Sequence, residues 1–273
     1  MLSCRPVDTN ASVRSVPVTR VTVDARTEVS DRVAVEQPLQ VRLDGHPFSV
    51  IMRTPGDDPH LAIGFLFSEG VVRSAADVRA IETEEADVVD VRLSSARAPA
   101  LVDLLGDRRE VAMNSSCGLC GRRTLESLVV PGDPLPVTWT LPARVVAGLP
   151  DRLVPAQAAF AETGGLHAAG LVWHDGPLER SAEDVGRHNA IDKLVGRMVM
   201  SGRVPLADHA LVVSGRLSFE IVQKAFLAGL PMIVAVSAPS SLAIDLAARA
   251  GLTLVGFTRA GRFNVYTGGA RIR

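Results

Sequence analysis

The run Ala210-Leu211-Val212-Val213, Ser218 to Ala228, Met232-Ile233-Val234-Ala235-Val236, Ser240 to Ala250, Leu252-Thr253-Leu254-Val255-Gly256-Phe257 decides the fold. Three short, wholly apolar segments alternate with two stretches of helical period. Strands that are apolar on both sides must be covered on both faces, so this half reads as α/β with a parallel or mixed sheet. Arg262 to Thr267 adds a terminal strand. Leu166 to Trp173 is another apolar, small-residue segment, and Asp184 to Arg197 has helical periodicity.

The first half has a different rhythm. Thr19 to Val29 alternates like one half-buried strand, and residues 1–18 read as a flexible arm. Leu39 to Leu43 and Phe48 to Arg53 flank Asp44-Gly45, a hairpin turn. Asp57 or Asp58 is placed to cap an apolar helix through Leu61–Phe67, closed by Glu69-Gly70. Strands are expected over 78–82 and 86–93, then a short helix from Arg97 to Gly106. The prolines between Pro131 and Pro155 read as a winding link, because proline cannot serve a helix interior. A helix starting at Pro155 is expected to stop at Thr163-Gly164-Gly165. The resulting division is a flexible arm at 1–18, a smaller α+β domain at 19–112, a cysteine-bearing linking region at 113–155 and an α/β ligand-binding domain at 156–273.

Composition narrows the function. A 47% hydrophobic content in 273 residues supports a large core, and a formal net charge of −1 argues against a general polyanion binder. With 4% aromatic residues the chain lacks a stacking platform for single-stranded nucleic acid. It has no apolar run of transmembrane length and no secretory leader pattern, so a cytoplasmic protein without membrane or nucleic-acid partners is expected. Three cysteines are too few for a disulfide scaffold.

Two of those cysteines lie in Asn114-Ser115-Ser116-Cys117-Gly118-Leu119-Cys120-Gly121-Arg122-Arg123; Cys4 reads as incidental. The pair could hold half of a metal site, cycle as a disulfide, or carry sulfur as a persulfide. A second close ligand pair is missing, so zinc would require His167 or His188. Pliable glycines and the neighbouring arginines favour a reactive thiolate. The spacing alone leaves all three uses open.

Ser214-Gly215-Arg216 joins an apolar strand to a helix, the geometry of an anion site. Ala238-Pro239-Ser240-Ser241 repeats it, although Ser240 or Ser241 is also an ordinary cap. Arg187, His188 and Asn189 crowd polar functions into a helix start and could meet a base or a phosphate. Asp192 and Lys193 read as surface charge. His167 sits among small residues that leave room for a ligand. Phe257-Thr258-Arg259-Ala260-Gly261-Arg262 carries two arginines around a glycine, suited to polyphosphate. No G-x-G-x-x-G or P-loop pattern supports a dinucleotide fold or an ATPase.

In combination these motifs resemble the formate dehydrogenase accessory sulfurtransferases, the FdhD family. The resemblance rests on Asn114 to Gly121, Phe160 to Ala169, Glu183 to Ala190, Ser214 to Glu220, Arg262 to Thr267, Thr54-Pro55 and Gly64 to Gly70. It spans residues 20 to 270. It implies a sulfur carrier that takes sulfur from a cysteine desulfurase. The sulfur passes to the molybdenum cofactor, in its bis(molybdopterin guanine dinucleotide) form, before insertion into formate dehydrogenase. It further implies a cytidine-deaminase-like three-layer C-terminal domain, a homodimer in the cytoplasm and no intrinsic metal. Cys117 matches the persulfide-carrying residue, Cys120 its partner, and 257–262 the cofactor-binding segment. GDP is expected to act as a surrogate ligand. The alternatives are a non-enzymatic molybdenum-cofactor chaperone and a zinc-containing structural protein.

Overall fold

Residues 12–83, 86–97 and 132–273 are described by the computed structural model of the chain. Cys4, Cys117, Cys120 and the helix expected after Arg97 lie outside them. The chain forms two sheet-containing lobes that meet at a close helix pair and through hydrogen bonds of the Met52-Arg53-Thr54 segment.

The N-terminal lobe begins with a hairpin of β1 (Val13–Val21) and β2 (Arg26–Ala34). The single strand expected over Thr19–Val29 is therefore two strands. They turn where the Thr22 N–H donates to the Ala25 carbonyl, and β1 reaches back into the segment read as a loose arm. Most of its side chains are exposed, so no apolar period announced it. A four-stranded sheet follows in the order β4-β3-β6-β5, from β3 (Gln37–Leu43), β4 (His46–Arg53), β5 (Val78–Glu82) and β6 (Val88–Leu93). The hairpin at Asp44-Gly45 is present, both residues having positive φ.

Helix α1 (Asp58–Ser68) ends where expected. Its cap does not follow the expected scheme. Asp57 occupies the N-cap in a left-handed conformation, and its side chain accepts from no helix N–H. Its carboxylate instead pairs with His60 and, at 2.7 Å, with Arg197, while Asp58 binds the buried Arg53. Ion pairing has taken both carboxylates from capping, and the two partners hold Asp57 below the ordinary carboxyl range against the opposing effect of burial, which is the largest single influence.

The C-terminal lobe is a six-stranded mixed sheet in the order β12-β11-β10-β9-β7-β8. Its strands are β7 (His167–Trp173), β8 (Leu178–Asp184), β9 (His209–Val213), β10 (Met232–Ala235), β11 (Thr253–Arg259) and β12 (Arg262–Thr267). β9, β10 and β11 are parallel; β12, β7 and β8 run antiparallel to their neighbours. Side chains alternate between two cores. Leu211, Val213, Ile233 and Ala235 face α5 (Arg187–Met200), α6 (Phe219–Leu227) and α7 (Ser241–Arg249). Ala210, Val212, Met232 and Val234 face the short α2 (Ala143–Ala147) and α3 (Leu149–Leu153), which belong to the proline-rich link. α4 (Ala158–Thr163) closes at Gly164 in the left-handed conformation.

α1 is apolar on most faces because it lies between its own sheet and α5. The two helices touch backbone to backbone. A Cβ added at Gly64 would stand 1.9 Å from the Asp192 carbonyl oxygen, and one at Gly196 1.9 Å from that of His60. Asp192 and Lys193, read from sequence as surface charge, are buried at this crossing, 2% and 3% exposed. Each has an internal partner instead of water. Lys224 Nζ lies 2.6 and 2.8 Å from the two Asp192 oxygens, and Ser68 Oγ donates to the same carboxylate. Burial still pushes the Asp192 carboxyl upward, outweighing the pull of Lys224.

Candidate functional site

The parallel strands β9 and β10 end at one edge of the sheet, where β7 begins and β8 ends. That edge gathers most of the polar residues singled out in the sequence. At the end of β9 the Ser214 N–H donates to the Ala168 carbonyl, and the Ser214 hydroxyl accepts from the Ala168 N–H at 2.9 Å. Ser214 thus fastens the turn to β7. The Leu217 N–H donates to Ala238 and the Ser240 N–H to Leu217, which zips the β9–α6 turn to the β10–α7 turn. Ser240 caps α7 through its hydroxyl, which accepts from the Ala243 N–H.

Between these turns lies an open crevice of about 320 Å³ lined by Arg187, Arg216, Leu217, Ser218, Ala238, Pro239 and Ser240. Arg187 opens α5, and Arg216 projects from the turn. Among the described residues neither guanidinium meets a carboxylate, and Arg187 Nε is buried with no hydrogen-bond partner. Arg53, Arg197 and Arg203, by contrast, are all paired. Two uncompensated guanidinium groups at one crevice form a site for an anion.

His167, the first residue of β7, borders the same place. A Cβ at Gly215 would stand 3.4 Å from His167 Nδ1 and 3.7 Å from Arg187 Cβ, so the glycine leaves the space in which these side chains approach. Partial burial, then Arg187 and Arg216, depress the imidazole below its ordinary range, opposed by Asp184. His188 is buried, with Nε2 3.4 Å from Ser218 Oγ and 4.0 Å from a Glu220 oxygen. Asn189 faces the other lobe: Nδ2 donates to the Met52 carbonyl and to Asp184 Oδ1, each at 2.8 Å.

The segment from Phe257 to Arg262 forms the β11–β12 turn beside the crevice and does not line it. The Phe257 N–H donates to the Ser237 carbonyl, and Gly256 packs toward Pro239. Phe257 and Ala260 both have positive φ, a strained conformation for residues with a Cβ. Thr258 is fully buried and its hydroxyl has no hydrogen-bond partner among the described residues, while Arg259 and Arg262 are exposed. Among the described residues no group of three or more His, Cys, Asp or Glu side chains is arranged to hold a metal.

The sequence reading missed the support behind the site. Asp184 is fully buried. One oxygen accepts from the Gly186 N–H and Asn189, the other from the Thr54 N–H and Lys193 Nζ, the last at 2.7 Å. Lys193 also donates to the Thr54 and Glu183 carbonyls, and the Val185 N–H donates to Thr54 Oγ1. The Thr54-Pro55 and Glu183–Asn189 motifs are therefore two sides of one buried network that sets where α5, and hence Arg187, begins. Replacing Lys193 by Met should leave the Asp184 charge uncompensated and cost about 3–5 kcal/mol; chemical denaturation checks this. A loss below about 1 kcal/mol, the scale of an exposed pair, would contradict the network.

Comparison with known proteins agrees with this architecture. The model of the FdhD/NarQ family matches residues 34–273. The sulfur carrier protein FdhD of Streptomyces avermitilis is 48% identical, covering 93% of this chain and 94% of the relative. That of Sulfurisphaera tokodaii is 43% identical over 95% of this chain and 99% of the relative. A crystal structure described as a formate dehydrogenase accessory protein from Desulfotalea psychrophila superposes with a TM-score of 0.77 at 26% identity, covering 96% of this chain and all of the other. With a family model matching most of the chain and relatives of this identity along nearly its whole length, the chain belongs to the FdhD/NarQ family.

Proposed function

We propose that this chain, a sulfur carrier of the sulfurtransferase class that serves formate dehydrogenase maturation, carries its sulfur as a persulfide on Cys117 and delivers it to the molybdenum cofactor. Family membership over residues 34–273 carries the sulfur-transfer reading. The donor is a cysteine desulfurase, whose persulfide is attacked by the Cys117 thiolate. The terminal sulfur moves to Cys117 as the donor cysteine leaves as thiolate; an electron pair of the acceptor then attacks that outer sulfur, the S–S bond breaks, and Cys117 leaves as thiolate. Cys120 assists this exchange. The acceptor is a substrate, the bis(molybdopterin guanine dinucleotide) form of the cofactor.

Such an acceptor carries several phosphates and two guanine bases. The uncompensated Arg187 and Arg216, with Ser218 and Ser240, suit the phosphates. Arg259 and Arg262, on the turn behind Pro239, extend positive charge along the same edge. His188 organises the floor through Ser218, and Asn189 fixes the start of α5. The three-layer C-terminal lobe, with helices on both faces of its mixed sheet, fits a cytidine-deaminase-like fold. No helix among the described residues is long and apolar enough to cross a membrane. The proposed working form is a cytoplasmic homodimer.

GDP is the surrogate that tests the pocket. It should bind more weakly than the whole cofactor. Arg216→Ala should lower its affinity by roughly tenfold or more, the worth of a charge-assisted hydrogen bond, and Arg259→Ala, beside the crevice, should lower it by a smaller factor. Calorimetric titration measures this, and unchanged affinity in both variants would place the nucleotide elsewhere. The chaperone alternative separates on the released cofactor: formate dehydrogenase activation by cofactor that has gained no protein-derived sulfur would favour it.

A further inference from the structure

We propose that His167 is the proton-linked recognition residue of the Arg187–Arg216 crevice: an anion seated between the two guanidinium groups takes a hydrogen bond from its imidazole, which gains a proton from solvent as the anion binds. The inference rests on the anion-binding reading of that crevice and adds the residue that couples binding to pH.

His167 starts β7 where Gly215 has no side chain to separate it from Arg187, and its ring has no hydrogen-bond partner among the described residues. A half-buried imidazole without such a partner has unused hydrogen-bonding capacity beside a crevice flanked by two guanidinium groups. The charged groups around it come from three elements: Arg187 at the start of α5, Arg216 on the β9–α6 turn, and Asp184 at the end of β8. The Asp184 oxygens are both engaged, by Lys193, Asn189 and two backbone N–H groups. His188, next to Arg187, faces Ser218 and Glu220.

The free protein therefore presents His167 to two positive charges. Burial and those charges favour its neutral form. The folded chain binds protons there less readily than the unfolded chain, so this residue makes the free protein less stable as pH falls below the ordinary histidine range. An incoming anion reverses the sign. It offsets the field of Arg187 and Arg216, accepts a hydrogen bond, and stabilises the imidazolium. By linkage, protonation must strengthen anion binding as much as the anion strengthens protonation. A crevice built this way grips a multiply charged phosphate more firmly as pH falls through the histidine range.

Sulfate is the cleanest probe, since it keeps its charge across that range while the terminal phosphate of GDP titrates within it. Sulfate affinity should be roughly three- to tenfold higher at about pH 6 than at about pH 8. In His167→Gln the ratio should fall to near one. Nuclear magnetic resonance of the imidazole groups, six in the chain, with His167 assigned by its loss in that variant, should show its titration midpoint rise on saturation with sulfate or GDP. In the free protein, Arg216→Gln should raise the same midpoint. Anion binding with pH-independent affinity and an unmoved His167 midpoint would overturn this inference and leave the crevice reading intact. Failure of both sulfate and GDP to bind would overturn the two together.

Discussion

Cys117→Ala is expected to abolish sulfur delivery and leave formate dehydrogenase activity at the background of a strain lacking this chain. An alanine offers no thiolate to attack the donor persulfide and nowhere to hold the sulfur, so no slower version of the same step remains. The loss should be kinetic and not structural: the variant should keep wild-type thermal stability and wild-type GDP affinity. Cys4→Ala should leave delivery unchanged, and Cys120→Ala should load sulfur but turn over more slowly. Activity of Cys117→Ala near wild type would remove the assignment.

The second large effect is expected far from the chemistry. Gly64→Ala should destabilise the chain by about 3 kcal/mol or more, because the new methyl group meets a backbone carbonyl and not a movable side chain. At this chain length that corresponds to a fall in Tm of roughly 5 °C or more. Separation of α1 from α5 would also disturb Asp192, Lys193 and the Thr54–Asp184 network, so anion affinity should fall with stability. Gly148→Ala is the control: its φ is −93° and the nearest atoms to an added Cβ are 3.7 Å away. Thermal denaturation of the two variants side by side decides the matter, and equal Tm values would contradict the close helix crossing.

Much of the C-terminal lobe was legible because its strands are buried on both faces. Residues 210–213, 232–236 and 252–257 are apolar at nearly every position, and helices of clear period separate them. β8 was not legible. Leu178–Asp184 is an edge strand rich in charge, and its one indispensable residue, Asp184, is buried by partners distant in sequence. Asp192 and Lys193 failed for the same reason, since nothing local distinguishes a solvated charge from one paired across a helix crossing. Asp57 and Asp58 had the composition of caps, but Arg197 and Arg53 claimed them.

The site was legible in pieces. His167, Arg187 and Arg216 each stand near a glycine or at a strand–helix junction of the sequence. Their convergence follows from β7 and β8 running antiparallel, so that the start of one strand and the end of the other share an edge with the end of β9. The strand directions could not be read from the sequence. The arginines of the Phe257–Arg262 turn mark it in the sequence, but its place behind Pro239, beside the crevice, depends on tertiary packing.

Intact-mass analysis of the protein after incubation with a cysteine desulfurase and cysteine decides whether this chain carries sulfur on Cys117. A reductant-sensitive gain of about 32 Da, one persulfide sulfur, is expected in the wild type and in Arg216→Ala, and none in Cys117→Ala. No gain in the wild type, or the same gain in Cys117→Ala, would contradict it.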